Sequence, residues 1–205
     1  MVTIYQLKGQ FQDILRPLVH KLHARQITPN QVTIYTCLAS VWVGMMLLLL
    51  PSSRAMLLFI PFFMFIRMAL NAIDGMLAKE FNQQSNLGAV LNEITDVVSD
   101  MALYLPFAAH PEVNGVAVVA VVMLAILSEM AGLIPVLIGV KRRFDGPMGK
   151  SDRAFVFGLV ALLLAFFGKS ILITFIVNGI FIITLLLLIG TVVNRLYLAL
   201  VESSR

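Results

Sequence analysis

"NAIDGMLAKEFNQQSNLGAVLNEITD", residues 71–96, is a polar island between long apolar runs. It holds two Asp, two Glu, one Lys, four Asn and two Gln, in a chain of 205 residues that is 60% hydrophobic and 13% charged. Mean hydropathy is +0.93. A soluble domain carries about 25% charge, so this composition reads as an integral membrane protein. A helix needs ~20 mostly apolar residues to cross the hydrocarbon core, and the runs flanking the island have about that length. The island is then the polar join between two membrane helices, with its carboxylates at or inside the membrane edge.

Working outward, the run before the island predicts a span over 55–78 and the run after it a span over 88–108. Further apolar runs predict spans over 32–50, 113–140, 153–167 and 171–200. Ahead of them, Leu7, Phe11, Ile14, Leu15, Leu18, Val19 and Leu22 recur at helical spacing, while Lys8, Gln12, Arg16, His20 and Lys21 fill the opposite face. That pattern predicts an amphipathic helix lying on the membrane surface. It should stop at "ITPN" (27–30), where Pro29 disfavours helical geometry at Thr28 and Thr28 can cap the next helix. The expected fold is all-α and integral to the membrane: a surface helix over 1–26, then six transmembrane helices forming one domain over 27–205. The first 25 residues lack the compact apolar core of a cleavable signal. The single cysteine, Cys37, allows no internal disulfide and reads as a small packing residue.

Charge asymmetry predicts orientation. With the N-terminus inside, Lys8, Arg16, Lys21, Arg25, Lys79, Lys141, Arg142, Arg143, Lys150, Arg153, Arg195 and Arg205 fall on the cytoplasmic side. Only Arg54 and Lys169 fall outside, and Arg67 lies within the second span. Both termini and the polar island are therefore expected at the cytoplasmic face of an inner membrane.

Residues three and four apart share a helix face. Asn71, Asp74 and Ala78 form one stripe at the end of the second span, and Gly88, Asn92, Asp96 and Asp100 form another at the start of the third. A short loop makes these helices antiparallel neighbours, so the stripes can face each other. Converging carboxylates offer hard oxygen ligands suited to Mg²⁺, Mn²⁺ or Ca²⁺, and ionisable residues within a membrane are usually functional. Gly75, Ala78 and Gly88 are small enough to let a ligand or backbone approach. Mutual pairing of these polar groups is the simpler reading of the same residues.

The sequence Asp74-Gly75-x-x-Ala78-Lys79, eight residues, then Gly88-x-x-x-Asn92-x-x-x-Asp96 resembles the CDP-alcohol phosphotransferase signature, D-x-x-D-G-x-x-A-R-x8-G-x-x-x-D-x-x-x-D. Every interval is kept, and "TPNQVT" (28–33) is also similar to the family. Asn71, Lys79 and Asn92 replace an Asp, the Arg and an Asp. The resemblance implies a divalent-metal-dependent enzyme of phospholipid synthesis. It would transfer a phosphatidyl group from a donor such as CDP-diacylglycerol to an alcohol, with release of CMP. It assigns Asp96 as general base and metal ligand and Asp74 as a metal ligand. Gly75, Ala78, Lys79 and Gly88, with Asn71 and Asp74, would meet the nucleotide. The cofactor implied is Mg²⁺ or Mn²⁺. An amide oxygen coordinates without charge, so Asn71 and Asn92 would be neutral ligands. Glu93 and Asp100 are candidates to restore charge, although Glu93 is rotated by ~100° from Asn92. These substitutions leave three readings open: a variant low-charge enzyme, a weak or inactive relative that binds CDP-lipid, and an active parent altered to trap substrate.

"KRRFDGPMGKSDR" (141–153) carries five basic residues. They suit orientation signalling and attraction to anionic lipid headgroups. Alternatively, by resemblance to family members that hold a phosphorylated acceptor, Lys150 and Arg153, with Arg195, are acceptor-binding candidates. Arg67, Glu129 and Arg195 otherwise read as buried ion-pair partners. Expected partners are the CDP-lipid donor, a small alcohol or lipid acceptor and membrane lipids. Small residues in the spans permit a homodimer, and no nucleic acid is expected. A small transporter with Asp74 and Asp96 lining a cation path is the remaining rival.

Overall fold

The computed structural model describes residues 4–168 and 170–204, with side chains from Gly9 onward. Lys169 and Arg205 of the charge count, and the side chains of Leu7 and Lys8, lie outside the described residues. The described residues contain helices and connecting turns, and no strand. Seven α-helices follow in order: α1 Ile4–Ala24, α2 Pro29–Leu49, α3 Arg54–Glu80, α4 Asn86–Tyr104, α5 Gly115–Leu133, α6 Lys150–Phe167 and α7 Ile171–Ser203. Short 3-10 turns, Leu105–Ala109 and Ile134–Ile138, prolong α4 and α5.

Local chemistry sets the ends of these helices. At the end of α1, Gln26 adopts φ 60°, while its amide donates to His23 O and that of Ile27 donates to Leu22 O. That paired closure satisfies carbonyls a helix end leaves orphaned. Thr28 and Gln31 then cap α2 reciprocally: Gln31 N donates to Thr28 Oγ1 (3.3 Å) and Thr28 N to Gln31 Oε1 (2.9 Å). Pro29, first in α2, has no amide hydrogen to leave unsatisfied. The end of α3 repeats the left-handed closure at Asn82 (φ 53°), with Gln83 N donating to Ala78 O. Ser85 opens α4, its hydroxyl accepting from Gly88 N at 3.0 Å.

Four helical segments have the length and apolarity to cross a membrane: Pro29–Leu49, Arg54–Glu80, Gly115–Ile138 and Ile171–Ser203. Each of the six predicted spans is a helix, but two are less apolar than these four. The reason is compositional: α4 carries Glu93, Asp96 and Asp100, and α6 has 18 residues beginning with Lys150, Asp152 and Arg153.

The chain forms two compact units. Met1–Trp42 and Phe63–Ser99 make up the first. Its apolar core gathers Val19, Val32, Ile73, Met76 and Leu77, with Leu15, Leu22, Ile27, Leu70 and Phe81 packed around them. The apolar face expected on α1 is thus divided. Leu15, Val19 and Leu22 turn into this core, Phe11 meets the Phe65 ring edge-on at 6.0 Å, and Ile14 and Leu18 remain exposed. An ion pair between Arg16 and Glu80 (3.3 Å) also ties α1 to the end of α3.

Val43–Phe62 and Asp100–Arg205 make up the second unit. Here α5 and α6 pack on α7. Tyr104 stacks on Phe157 with ring centroids 4.0 Å apart, and Phe107 and Phe181 close round the same ring at 5.3 and 5.4 Å. Gly44 packs directly on the Ala102 carbonyl, where any side chain would collide.

Candidate functional site

The first unit holds the motif residues of α3 and α4 up to Asp96 and the start of α2. A polar stripe on α2, made of Thr33, Thr36 and Ser40, is buried, as the three share a face by helical spacing. Thr36 and Ser40 return their hydroxyls to backbone carbonyls of α2 at 2.8 Å. Thr33 Oγ1 lies 3.1 Å from Pro29 O, but its nearer acceptor is across the helices, Asp74 Oδ2 at 2.8 Å. Asp74 is only 6% exposed, and a charge-assisted hydrogen bond of this kind offsets part of the cost of burying its carboxylate.

Asp96, on α4, is more open, with its side chain 25% exposed. Asn71 Nδ2 donates to Asp96 Oδ1 at 3.2 Å. Arg67, buried in α3, donates from Nη2 to the Asp96 backbone carbonyl at 3.2 Å and lies 3.7 Å from Oδ1. Arg67, Asn71, Asp74 and Ala78 therefore form one continuous stripe on α3. Asn92 and Glu93 are half-buried on α4 before Asp96.

The small residues differ in what they do. A side chain added at Gly75 would meet nothing within 4 Å, so that position faces open room. One added at Gly88 would lie 2.8 Å from Asn30 Oδ1 and 3.1 Å from Ser85 Oγ. Gly88 thus permits the close approach of α4 to the start of α2. Ala78 is half-buried and Lys79 is exposed.

No three His, Cys, Asp or Glu side chains converge as a metal cluster among the described residues. The donors present are oxygens, from the Asp74 and Asp96 carboxylates and the Asn71 and Asn92 amides. Oxygen donors of this type suit a hard divalent ion of the kind held by one or two carboxylates plus substrate phosphates. They do not amount to a closed cage.

The remaining predicted residues fall in the second unit. Asp100 Oδ2 accepts from Arg153 Nη2 at 3.1 Å, and the same nitrogen donates to Glu129 Oε1 at 2.8 Å. Arg153 Nη1 adds Ser128 Oγ at 3.3 Å, and Arg153 is 1% exposed. Arg195 donates from Nε to Asp145 O (3.0 Å) and from Nη1 to Ser128 O, and lies 4.0 Å from Glu129. Arg142 approaches Glu129 at 3.7 Å, so one carboxylate serves three guanidiniums. Lys150 is half-buried at the first residue of α6.

Asn71 and Asp96 are thus in contact and Asp74 lies one turn on from Asn71 along α3, paired with Thr33, whereas Asp100 holds a buried arginine. Motif spacing gave no role to Thr33, Asn30 or Arg67. The signals available were the Thr33-x-x-Thr36-x-x-x-Ser40 spacing in an apolar helix and a lone arginine four residues before Asn71.

The sequence profile described as CDP-alcohol phosphatidyltransferase matches residues 26–196. Inner membrane protein YnbA of Escherichia coli (strain K12) is 43% identical over 194 residues, which is 95% of this chain and 94% of that protein. An uncharacterized protein of Aquifex aeolicus (strain VF5) is 29% identical over 197 residues, covering 94% of this chain and 92% of its own. Among solved structures, Mycobacterium tuberculosis phosphatidylinositol phosphate synthase (PgsA1) with CDP-DAG bound superposes with a TM-score of 0.77 at 19% identity, covering 91% of this chain and 94% of that one. The same enzyme with manganese and citrate gives 0.75 at 18% identity, over 89% and 87%. The likeness to these structures is one of fold. With the profile spanning most of its length, the chain belongs to the CDP-alcohol phosphatidyltransferase family.

Proposed function

We propose that this family member transfers a phosphatidyl group from a CDP-linked lipid such as CDP-diacylglycerol to the hydroxyl of an alcohol, releasing CMP. The observation that carries the reading is the placement of Asp74 and Asp96 in one unit, beside the open room at Gly75. The acceptor oxygen attacks the lipid-bearing phosphorus, the bond from that phosphorus to the CMP oxygen breaks, and the acceptor proton passes to Asp96. Its partial exposure leaves Asp96 accessible to an acceptor. Asp74, fixed by Thr33, is the more rigid acid and binds on the diphosphate side, with Asn71 and Asn92 as neutral oxygen donors. A Mg²⁺ or Mn²⁺ bound there would neutralise diphosphate charge and ease departure of CMP. Lys79, exposed at the end of α3, supplies a point charge for phosphate, and Gly75, Ala78 and Gly88 leave space for the nucleotide. The manganese in one PgsA1 structure and the CDP-DAG in another support the metal and the donor class.

All six helices α2–α7 cross an inner membrane in this reading, with α4 and α6 placing their charged ends at the cytoplasmic face. The name of the Escherichia coli relative supports the membrane, and the Lys and Arg asymmetry supports the orientation. Residues 1–26 form the surface helix, whose exposed Ile14 and Leu18 suit contact with lipid; 27–205 form the membrane domain. Glu93 remains a candidate to add charge to the site. Asp100 is omitted from the metal set because Arg153 engages its carboxylate. Lys150, Arg153 and Arg195 remain acceptor candidates, of which Lys150 is the least buried.

The test is incubation of the purified protein with CDP-diacylglycerol, Mn²⁺ and pooled polar metabolites, followed by measurement of CMP and mass identification of lipid products. Metal-dependent CMP release with a new phospholipid is the expected result. Binding of CDP-diacylglycerol without CMP from any acceptor would make the chain a non-catalytic relative, and cation flux in liposomes without CMP would make it a transporter.

A further inference from the structure

Motif logic gives Arg67 no role, yet it is 5% exposed within a helix apolar enough to span a membrane. A guanidinium there is costly to bury unless its partners are well placed. Asp96 meets it twice, with the backbone carbonyl at 3.2 Å and Oδ1 at 3.7 Å. Asn71, one turn further along α3, donates to the same Oδ1 at 3.2 Å. An Asp at 71 would set a second anionic oxygen near that distance, which a cation between the two or a shared proton would have to relieve. The amide supplies a donor instead. Asp96 is therefore held by two groups of its own chain before any ion arrives. Charge points the same way: Asp74 and Asp96 offer two negative charges, and Arg67 offsets one of them.

We propose that Arg67 is a positioning residue and a fixed cation of this site: with Asn71 it orients Asp96 without metal, and it limits the site to one divalent ion. This rests on Asp74 and Asp96 being the acids of the site. A second divalent ion beside Asp96 would meet the Asn71 amide and the Arg67 guanidinium, with Glu93 as a further carboxylate on that stretch of α4.

The test uses the purified full chain and Mn²⁺ alone, with bound ions counted by electron paramagnetic resonance and titration calorimetry. The wild type should bind one Mn²⁺. Arg67→Gln should bind Mn²⁺ about tenfold more tightly, the scale of one fixed charge in a polar site, or admit a second ion. Arg67→Lys should keep the single-ion stoichiometry. Asn71→Asp, with Arg67 intact, should lower the thermal midpoint without Mn²⁺ and regain it when Mn²⁺ is added. Two Mn²⁺ in the wild type, or unchanged affinity and stoichiometry in Arg67→Gln, would overturn the proposal. Where Arg67→Gln does not fold, an Asn71→Asp midpoint unmoved without Mn²⁺ overturns it instead. The ion count is independent of turnover: an active enzyme holding two Mn²⁺ refutes this proposal alone, and an inactive chain holding one refutes the proposed function alone.

Discussion

Asp96 and Asp100 stand one turn apart on α4, and each has a buried arginine beside it, yet the two pairs are built differently. Asp100 meets Arg153 at 3.1 Å, its side chain is 9% exposed, and Glu129 supplies a second carboxylate at 2.8 Å from the same nitrogen. Asp96 lies 3.7 Å from Arg67, its side chain is 25% exposed, and the neutral Asn71 amide donates to its Oδ1. A closed, buried pair of this kind is structural, because removing either member strands a charge. A looser, half-exposed pair leaves an acid that substrate can reach. Identical residue types four positions apart thus lend themselves to structure in one case and to chemistry in the other.

The sharpest way to break this contrast is to remove each pair in turn. Asp96→Ala should cut the rate of CMP release by about a hundred- to ten-thousandfold, the range of a lost general base. It should lower the unfolding midpoint in detergent less than Arg153→Met does, because the backbone carbonyl at 96 still accepts from Arg67; full turnover in this variant would mean that the base has been misassigned. Arg153→Met should do the reverse at the level of stability. Taking the guanidinium from Asp100 should cost about 3–5 kcal/mol, read as a lowered thermal midpoint of the purified protein. A stable Arg153→Met with impaired turnover would instead place Arg153 with the acceptor.

A smaller effect tests the fixed acid of the site. Thr33→Val keeps the shape of the side chain but removes the hydroxyl from Asp74, at a cost of about 1.5–3 kcal/mol for a hydrogen bond to a charged group. The loss should appear in metal-binding calorimetry as well as in the thermal midpoint. The smallest expected change is in Thr28→Ala, which removes half of the reciprocal cap on α2 and should cost about 1 kcal/mol in thermal stability. A larger fall would show that the cap also holds the register of Thr33, one turn and a residue along α2.

Much of this was legible in the sequence because local rules govern it. The apolar runs marked every helix, with α1 breaking at "ITPN" as expected and Thr28 capping α2. The motif intervals picked out Asn71, Asp74 and Asp96, since helical spacing alone places such residues on facing stripes. Spacing also set Asp100 on the Asp96 stripe, and there periodicity could not help. The identity of its partner depends on Arg153, 53 residues away. Likewise, the apolar face of α1 read as a single surface for lipid, whereas Leu15, Val19 and Leu22 pack into protein and leave Ile14 and Leu18 outside.

The sequence by itself determined a helical membrane chain, the ends of its helices, its charge asymmetry and the two acids with their amide neighbours, all consequences of composition and short-range geometry. Tertiary structure alone decided which charges meet: Thr33 with Asp74, Arg67 and Asn71 with Asp96, Arg153 with Asp100 and Glu129. A buried charge must find its counterpart wherever folding brings one within reach, and that distance in space is not written in the distance along the chain.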